Sequence, residues 1–292
     1  MKNYLATKAR RREEKASSLR LTEENMNVQT LRIGVAQVPQ TDDIQTNLDK
    51  VIEYMEKAGD RGVEILCFPE THLPGYRVGI RETGSPCEAD KLTRAAEIIR
   101  SKCRDLSMGV VVGTETPNPK GKPYNSALVI NSTGAILALH HKSKLTPADA
   151  KAYSQGDGPT AFMFKGVPMG VVICFEGFRY PETTRGLARN GAKVVFHPQC
   201  NHVLPTMAWK QPIHEALIMA RAGENTIWFV SANMSHPKNN CRSLIVAPNG
   251  LIHKASVLTQ EMLVTADIDT DLATHAFLQD DLGKMAQALG EV

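Results

Sequence analysis

The sequence predicts a mixed α/β fold, and three observations lead to that class. Past residue 30, short runs of β-branched residues alternate with longer segments whose apolar residues have helical spacing. Two pairs of strand-like runs are joined by glycine-containing turns, which indicates β-hairpins within a β-α pattern. No long polar linker interrupts residues 31–270. We therefore expect one domain at 31–270, with a charged N-terminal extension at 1–30 and a C-terminal tail at 271–292.

Local signals set the elements of the first half. Asp43 can cap a helix, and Gly59 marks the end of that helix. Gly134 occupies the left-handed position of an Asn-Ser-Thr-Gly turn, which predicts a hairpin. The predicted elements are, in order, a strand at 31–38, a helix at 43–59, a strand at 63–68, a helix at 88–106, a strand at 108–114, and hairpin strands at 124–130 and 135–141.

The second half repeats the same alternation. Gly191 closes a predicted helix, and a Pro-Asn-Gly turn ending at Gly250 predicts a second hairpin. The predicted elements are, in order, a strand at 167–173, a helix at 180–190, a strand at 193–196, a helix at 207–222, a strand at 227–231, hairpin strands at 243–247 and 251–255, a strand at 262–268, and a short helical tail.

Composition and charge exclude several classes of protein. Basic residues number 34 and acidic residues 31, so the formal charge is only +3, and 42% of residues are hydrophobic. Lys8, Arg10, Arg11 and Arg12 form a basic cluster that could touch nucleic acid, but glutamates follow it and a solvated extension is the usual state of such segments. No stretch has the roughly 20 apolar residues that cross a bilayer. Six cysteines without a close pair and no apolar leader lead us to expect a cytoplasmic protein that binds neither membranes nor nucleic acid.

Three reactive side chains each follow a predicted buried strand. Glu70 ends Val-Glu-Ile-Leu-Cys-Phe-Pro-Glu, Lys142 ends Ala-Ile-Leu-Ala-Leu-His-His-Lys, and Cys174 ends Gly-Val-Val-Ile-Cys. In open α/β sheets, catalytic groups commonly lie just after the carboxyl ends of such strands. Taken singly, a loop carboxylate, an edge-strand lysine or a core thiol would be unremarkable, but their common placement indicates one site.

These three residue types suit the cleavage of a carbon–nitrogen bond. A free thiol has a pKa of about 8.5, so attack by Cys174 needs a base, and a partly buried Glu70 can serve. Lys142 would stabilise the oxyanion, and one such donor contributes about a hundredfold in rate. Lys144 is the alternative lysine, because it shares a face with Lys142 if the strand continues. A Cys–His pair is a weaker alternative, since no histidine follows Cys174 in a recognisable pairing context.

The chain resembles the nitrilase superfamily of carbon–nitrogen hydrolases, which use a Glu–Lys–Cys triad in this order. The similarity covers roughly residues 31–270, including Phe-Pro-Glu70 with Leu-Pro-Gly-Tyr76, Tyr124-Asn-Ser, Lys142 with Leu-Thr-Pro, Cys174-Phe-Glu and Arg221-Ala-Gly-Glu-Asn. The resemblance implies a four-layer αββα sandwich of two mixed β-sheets flanked by helices, with subunits paired into a homodimer or higher homo-oligomer. It also implies catalysis without a metal or cofactor, by Glu70 as base, Lys142 and Cys174.

The resemblance assigns auxiliary positions too. The backbone N–H of Phe175 would be a second oxyanion donor, and Asp149 stands where many relatives carry a second glutamate. A solvated capping aspartate is an equal alternative for Asp149, and Glu176 is expected either to line the pocket or to make a structural hydrogen bond. Further candidates for the substrate pocket are Tyr76, Tyr124, His197 and Asn201. A metal site at His197, Cys200 and His202 is disfavoured, because the spacing matches no common zinc pattern.

The expected function is hydrolysis of a linear amide or carbamoyl compound through a cysteine thioester, with release of ammonia. A nitrile is the alternative substrate, because Cys174-Phe-Glu lies between the Cys-Tyr-Asp of many amidases and the Cys-Trp-Glu of nitrilases. A non-catalytic binding protein of the same family is the alternative of a different class, with Asp149 as the sign of a decayed site.

Overall fold

Two six-stranded sheets form the centre of the molecule in the computed structural model, which describes residues 29–202 and 209–290. The strands of the first sheet are β1 (Thr30–Gln37), β2 (Ile65–Cys67), β3 (Gly109–Thr116), β4 (Tyr124–Ile130), β5 (Ile136–His141) and β12 (Met262–Asp269). The strands of the second are β6 (Thr160–Phe164), β7 (Val167–Val171), β8 (Val194–Pro198), β9 (Trp228–Ala232), β10 (Leu244–Val246) and β11 (Ile252–Ala255).

Both sheets have the same plan, with three parallel strands at the centre and antiparallel strands outside. The first sheet runs β12-β1-β2-β3-β4-β5, with β1, β2 and β3 parallel. The second runs β11-β10-β9-β8-β7-β6, with β7, β8 and β9 parallel. Each sheet therefore brings the carboxyl ends of its parallel strands to one edge, where loops can meet.

Four helices cover the outer faces of the sheets: α1 (Ile44–Gly59) and α2 (Ala89–Leu106) pack on the first sheet, and α5 (Pro181–Arg189) and α6 (Lys210–Gly223) pack on the second. The described chain also has the short helices α3 (Asp149–Ala152) and α4 (Phe175–Arg179), the C-terminal helix α7 (Leu282–Leu289) and 3₁₀ turns at Thr270–Leu272 and Ala276–Leu278. One apolar cluster lies between the sheets and continues under α5 and α6, and a second joins the first sheet to α1 and α2. These layers are helix, sheet, sheet and helix, so the predicted four-layer αββα sandwich is confirmed.

The predicted caps and turns are present. The Asp43 side chain accepts a hydrogen bond from the Thr46 N–H at 2.7 Å and caps α1, which ends at Gly59. Gly134 and Gly250 have positive φ angles of 76° and 82° in the two hairpin turns, a conformation that favours glycine. Local chemistry therefore sets these boundaries as the sequence indicates.

Several short elements differ from the prediction. The strand predicted at 63–68 is confined to Ile65–Cys67, and the sequence predicted neither the strand at Thr160–Phe164 nor the helix at Asp149–Ala152. A helix of about one and a half turns, Phe175–Arg179, follows Cys174, where the sequence predicted no element. Each of these elements has five residues or fewer, too few for a period of 2 or 3.6 to emerge from a single sequence.

Some predictions fall outside the described residues. The N-terminal basic cluster does so entirely, and the predicted helix at 207–222 does so at its first two residues. Within residues 29–202 and 209–290, no helix combines the length and the apolar character that a bilayer crossing requires.

Candidate active site

The loops that follow three strands bring Glu70, Lys142 and Cys174 together. Glu70 lies three residues beyond β2, Lys142 directly follows β5, and Cys174 lies three residues beyond β7. The Nζ of Lys142 is 2.6 Å from Oε1 of Glu70, and both side chains are fully buried. The first sheet supplies the glutamate and the lysine and the second supplies the cysteine, so the site forms where the two sheets face each other.

Glu70 is held by three hydrogen bonds to its carboxylate. Oε1 accepts from Lys142 and, at 2.7 Å, from Nδ2 of Asn125, while Oε2 accepts from the Cys200 N–H at 3.0 Å. Burial and the neighbouring charge of Asp149 nevertheless raise the pKa of Glu70 above its ordinary value, against the opposing effect of Lys142. A carboxylate with a raised pKa, fixed in one orientation, is suited to moving protons near neutral pH.

Lys142 is a buried cation between two carboxylates. Its Nζ donates to Glu70 and, at 2.9 Å, to Oδ2 of Asp149, and its backbone N–H donates to the Asn125 carbonyl at 2.8 Å. Burial alone would lower the pKa of Lys142, but the two carboxylates outweigh it and hold the pKa well above its ordinary value. The ammonium group therefore stays charged. Lys144, the alternative lysine, instead lies 5.3 Å from the ring of Tyr180.

Cys174 occupies a strained turn at the start of α4. Its φ of 47° and ψ of −104° lie outside the common regions for a residue with a side chain. The turn is held by the Cys174 N–H, which donates to the Pro198 carbonyl at 2.9 Å, and by the Cys174 carbonyl, which accepts from Phe178 at 3.1 Å. Burial and the charge of Glu70 raise the pKa of the thiol well above its ordinary value. The sulfur is therefore a thiol at rest and needs a base to attack.

Asp149 is buried and belongs to the same network as the triad. Its Oδ2 accepts from Lys142 and from the Thr146 N–H at 3.0 Å, and Oδ1 accepts from the Tyr76 hydroxyl at 2.5 Å. Burial opposes ionisation, but Lys142 and these donors lower the pKa of Asp149 below its ordinary value. Asp149 is thus an ionised partner of Lys142 rather than a solvated loop residue, and Tyr76 fixes its second oxygen.

A cavity of about 310 Å³ opens beside the cysteine. Cys174, Phe175, Tyr76 and Asn201 all line it, and the Nδ2 of Asn201 lies 3.6 Å from the sulfur of Cys174. The remaining lining residues in the described chain are Thr146, Phe178, Arg179, Cys200, Lys210 and His214. The cavity therefore gives a small molecule direct access to the thiol.

Glu176 makes structural hydrogen bonds and does not line the cavity. Its carboxylate accepts from the backbone N–H groups of Ser143 and Ile173 at 2.6 and 2.5 Å, and its Oε2 lies 2.8 Å from Nε2 of His140. Burial opposes ionisation, yet His140 and these donors lower the pKa of Glu176 to about 2. Because Ser143 follows Lys142 and Ile173 precedes Cys174, Glu176 ties the lysine segment to the cysteine segment.

Two predicted pocket residues do not line the cavity. His197 is buried beneath Cys174, where Nε2 lies 2.8 Å from the Cys174 carbonyl and Nδ1 lies 2.9 Å from the Ser231 hydroxyl. A carbonyl only accepts, so Nε2 carries the proton and His197 supports the strained turn. Tyr124 stacks on His141 with ring centroids 4.4 Å apart. Neighbouring residues of a strand face opposite sides, so Asn125, not Tyr124, points at Glu70.

Asn125 and Cys200 are the site residues that the sequence did not reveal as partners of Glu70. Asn125 lies within the Tyr-Asn-Ser motif, so the motif was the available signal and only the choice of residue differed. Cys200 contributes its backbone N–H, which no side-chain pattern reports. Among the described residues, no group of three or more His, Cys, Asp or Glu side chains is arranged to hold a metal ion.

The comparisons with known proteins agree on one family. A family model described as carbon-nitrogen hydrolase matches residues 32–276. An (R)-stereoselective amidase of Pseudomonas sp. is 32% identical over 207 residues, covering 70% of each chain. A protein named nitrilase from Pyrococcus abyssi is 28% identical over 249 residues, covering 83% of this chain and 90% of the relative.

Solved structures agree on the fold. The crystal structure of an amidase from Nesterenkonia sp. covers 89% of this chain and 96% of its own, with a TM-score of 0.73 at 24% identity. A variant of the amidase from Nesterenkonia sp. AN1 in complex with butyramide covers 88% and 96%, also with a TM-score of 0.73 and 24% identity. The chain therefore belongs to the carbon–nitrogen hydrolases of the nitrilase superfamily and is an enzyme that cleaves carbon–nitrogen bonds.

Proposed function

We propose that the protein hydrolyses a linear amide of a small molecule through a thioester on Cys174. The observation that supports this most is the convergence of a thiol, a carboxylate with a raised pKa and a charged lysine beside one cavity. The relatives named amidase support the amide as the bond that is cleaved. The intact contacts of Asp149 argue against a decayed, non-catalytic site.

In the first half-reaction, Glu70 takes the proton from Cys174 as the sulfur attacks the amide carbon. Lys142 and the backbone N–H of Phe175 stabilise the oxyanion that forms on the carbonyl oxygen. Glu70 then gives its proton to the departing nitrogen and the carbon–nitrogen bond breaks. Ammonia departs, and the acyl group remains bound to the sulfur of Cys174 as a thioester.

In the second half-reaction, Glu70 removes a proton from water while the water oxygen attacks the thioester carbon. The carbon–sulfur bond breaks, the proton returns to sulfur, and the carboxylic acid is released. Glu70 thus acts first as base and then as acid in each half, which requires a pKa near the working pH. Burial and the charge of Asp149 raise the pKa of Glu70 from its ordinary value, against the opposing effect of Lys142, which is the direction that this double role needs.

A nitrile is the second candidate substrate, supported by the likeness to a protein named nitrilase over 83% of this chain. Butyramide and butyronitrile are a matched pair for the decision, with ammonia release as the measurement. We expect ammonia from butyramide, little from butyronitrile, and none from either with the Cys174→Ala variant, whose circular dichroism should match the wild type. Ammonia from the nitrile alone would contradict the amidase proposal, and turnover by the Cys174→Ala variant would contradict the nucleophile.

A further inference from the structure

Two free cysteines share the cavity of the proposed active site. Among the described residues that line it, Cys174 and Cys200 are the cysteines. The other four free thiols of the chain do not line it: Cys67, Cys87, Cys103 and Cys241. The proposed reaction uses the sulfur of Cys174, whereas Cys200 contributes only the backbone N–H that holds Glu70. The thiol of Cys200 therefore has no role in that reaction.

The backbone brings these two cysteines close together. Strands β7 and β8 are parallel, and their pairing of Val171 with Phe196 continues into the loops, because the Cys174 N–H donates to the Pro198 carbonyl at 2.9 Å. In that register, Cys174 lies opposite the residue that precedes Cys200. A strand spacing of about 4.8 Å and a rise of about 3.3 Å per residue would separate the two Cα atoms by about 6 Å. A disulfide bridges Cα atoms that are about 4.4–6.8 Å apart.

The side chain of Cys200 is oriented by a hydrogen bond. Its S–H donates to Oε1 of Gln40 at 3.4 Å, and the amide of Gln40 donates to the Glu70 carbonyl at 2.8 Å. This bond uses the hydrogen of the thiol and leaves the lone pairs of the sulfur available to other groups. Burial raises the pKa of Cys200 well above its ordinary value, so Cys200 is a thiol at rest, as Cys174 is.

We propose that hydrogen peroxide converts Cys174 and Cys200 into a disulfide, which inactivates the enzyme reversibly and spares the nucleophile from irreversible oxidation. Cys174 reacts first, because Glu70 can take its proton as it does in the amide reaction, and Cys200 is the thiol that closes the disulfide. This inference rests on the roles proposed for Glu70 and Cys174, and it holds for an amide or a nitrile substrate.

The oxidation has two steps. In the first, Glu70 takes the thiol proton while the sulfur of Cys174 attacks one peroxide oxygen. The oxygen–oxygen bond breaks, a sulfenic acid forms on Cys174, and the other oxygen leaves as water with the proton that Glu70 held. In the second, the sulfur of Cys200 attacks that of Cys174, the sulfur–oxygen bond breaks, and the hydroxyl group leaves as water with the proton of Cys200. Two thiols and one peroxide thus give one disulfide and two water molecules.

Peptide mapping by mass spectrometry after peroxide treatment of the full-length protein tests the proposal. We expect linked peptides that contain Cys174 and Cys200, lighter by two hydrogen atoms than the two separate peptides. The link should form in step with the loss of amide hydrolysis, and dithiothreitol should reverse both. The control is Cys87→Ser, because Cys87 is partly exposed and lies outside the cavity, and this variant should form the same link.

The Cys200→Ser variant tests the second step. Peroxide should leave a sulfenic acid on Cys174 that dimedone captures, and longer exposure should give a sulfinic acid that dithiothreitol does not reverse. Activity after treatment is compared with that of the same variant before treatment. The proposal is overturned by wild-type protein in which peroxide oxidises Cys174 and leaves Cys200 a free thiol, or in which Cys174 resists peroxide.

The mass measurement separates this inference from the proposed function, because it needs no turnover. A link between Cys174 and Cys200 in a protein that releases no ammonia from amides would keep the disulfide and remove the amidase proposal. An active amidase whose Cys174 is oxidised directly to a sulfinic acid would keep the amidase proposal and remove the disulfide.

Discussion

At the scale of single residues, each charged group of the site shifts the pKa of its neighbour. Asp149 and Glu70 hold Lys142 positive, while the charge of Asp149 contributes to the raised pKa of Glu70. Burial and the charge of Glu70 in turn hold the pKa of the Cys174 thiol well above its ordinary value. We therefore expect Asp149 to affect the reaction through its charge.

The Asp149→Asn variant tests this coupling by its pH dependence. Glu70 must be ionised to act as base, so kcat/KM should fall in acid as the pH drops through the raised pKa of Glu70. Removing the negative charge of Asp149 lowers the pKa of Glu70, so the acid limb of the pH–rate profile should move to lower pH, together with a loss of rate.

Tyr76→Phe is the matched control for that experiment. It deletes the hydroxyl that donates to Oδ1 of Asp149 but leaves the charge of Asp149 in place. The acid limb should therefore stay near its wild-type position in this variant. An unchanged acid limb in Asp149→Asn would contradict the electrostatic coupling of Asp149 to Glu70.

At the scale of elements, the catalytic loops are held by close approaches of backbone. A Cβ on Gly113 of β3 would lie 2.1 Å from the Pro69 carbonyl oxygen and 2.3 Å from the Thr71 nitrogen, on either side of Glu70. Only a glycine permits the strand to come that near to the Glu70 loop.

Gly113→Ala should displace the Glu70 loop, lower kcat by at least about tenfold and reduce stability by about 1–3 kcal/mol. Gly186→Ala is the control, because Gly186 lies within α5 and a Cβ there meets nothing within 4 Å. That variant should gain about 0.5–1 kcal/mol from helix propensity and keep its activity. Thermal unfolding and ammonia release measure both, and a fully active Gly113→Ala enzyme would contradict the role given to the close approach.

Element by element, the sequence was informative wherever the signal is local. The cap at Asp43 and the turn at Gly134 depend on neighbours in sequence, and they lie as predicted. The strands that precede Glu70 and Cys174 are present at the predicted places but are shorter than predicted. Glu176 contacts Ser143, 33 positions earlier in the sequence, as well as Ile173, three positions earlier, and no local sequence pattern predicts this pair of contacts. For the same reason, the sequence could name the Tyr124 motif but not choose its Asn125 as the partner of Glu70.

At the scale of the whole molecule, two sheets of equal plan supply different parts of one site. The first sheet supplies Glu70 and Lys142, the proposed base and oxyanion donor, and the second supplies Cys174, the proposed nucleophile. The face-to-face packing of the sheets is therefore what assembles the triad. Pairing of subunits and a cytoplasmic location remain predictions from the resemblance and the composition.

Deleting residues 1–28 tests whether the described domain is sufficient. The family match begins at residue 32, and β1 begins at Thr30, so the deletion removes no part of either sheet. We expect kcat/KM to stay within about twofold of the full chain, because the proposed catalytic residues Glu70, Lys142 and Cys174 all lie in the retained part. A large loss of turnover with an unchanged melting temperature would assign the extension a direct role in the reaction.

The covalent intermediate tests the central claim most directly. A reaction with the best amide substrate, stopped in acid during turnover and mapped by mass spectrometry of its peptides, should carry the acyl group on Cys174. The same treatment of the Cys174→Ala variant should give no acylated peptide. Steady turnover with Cys174 unmodified, or with the acyl group on another residue, would contradict the mechanism.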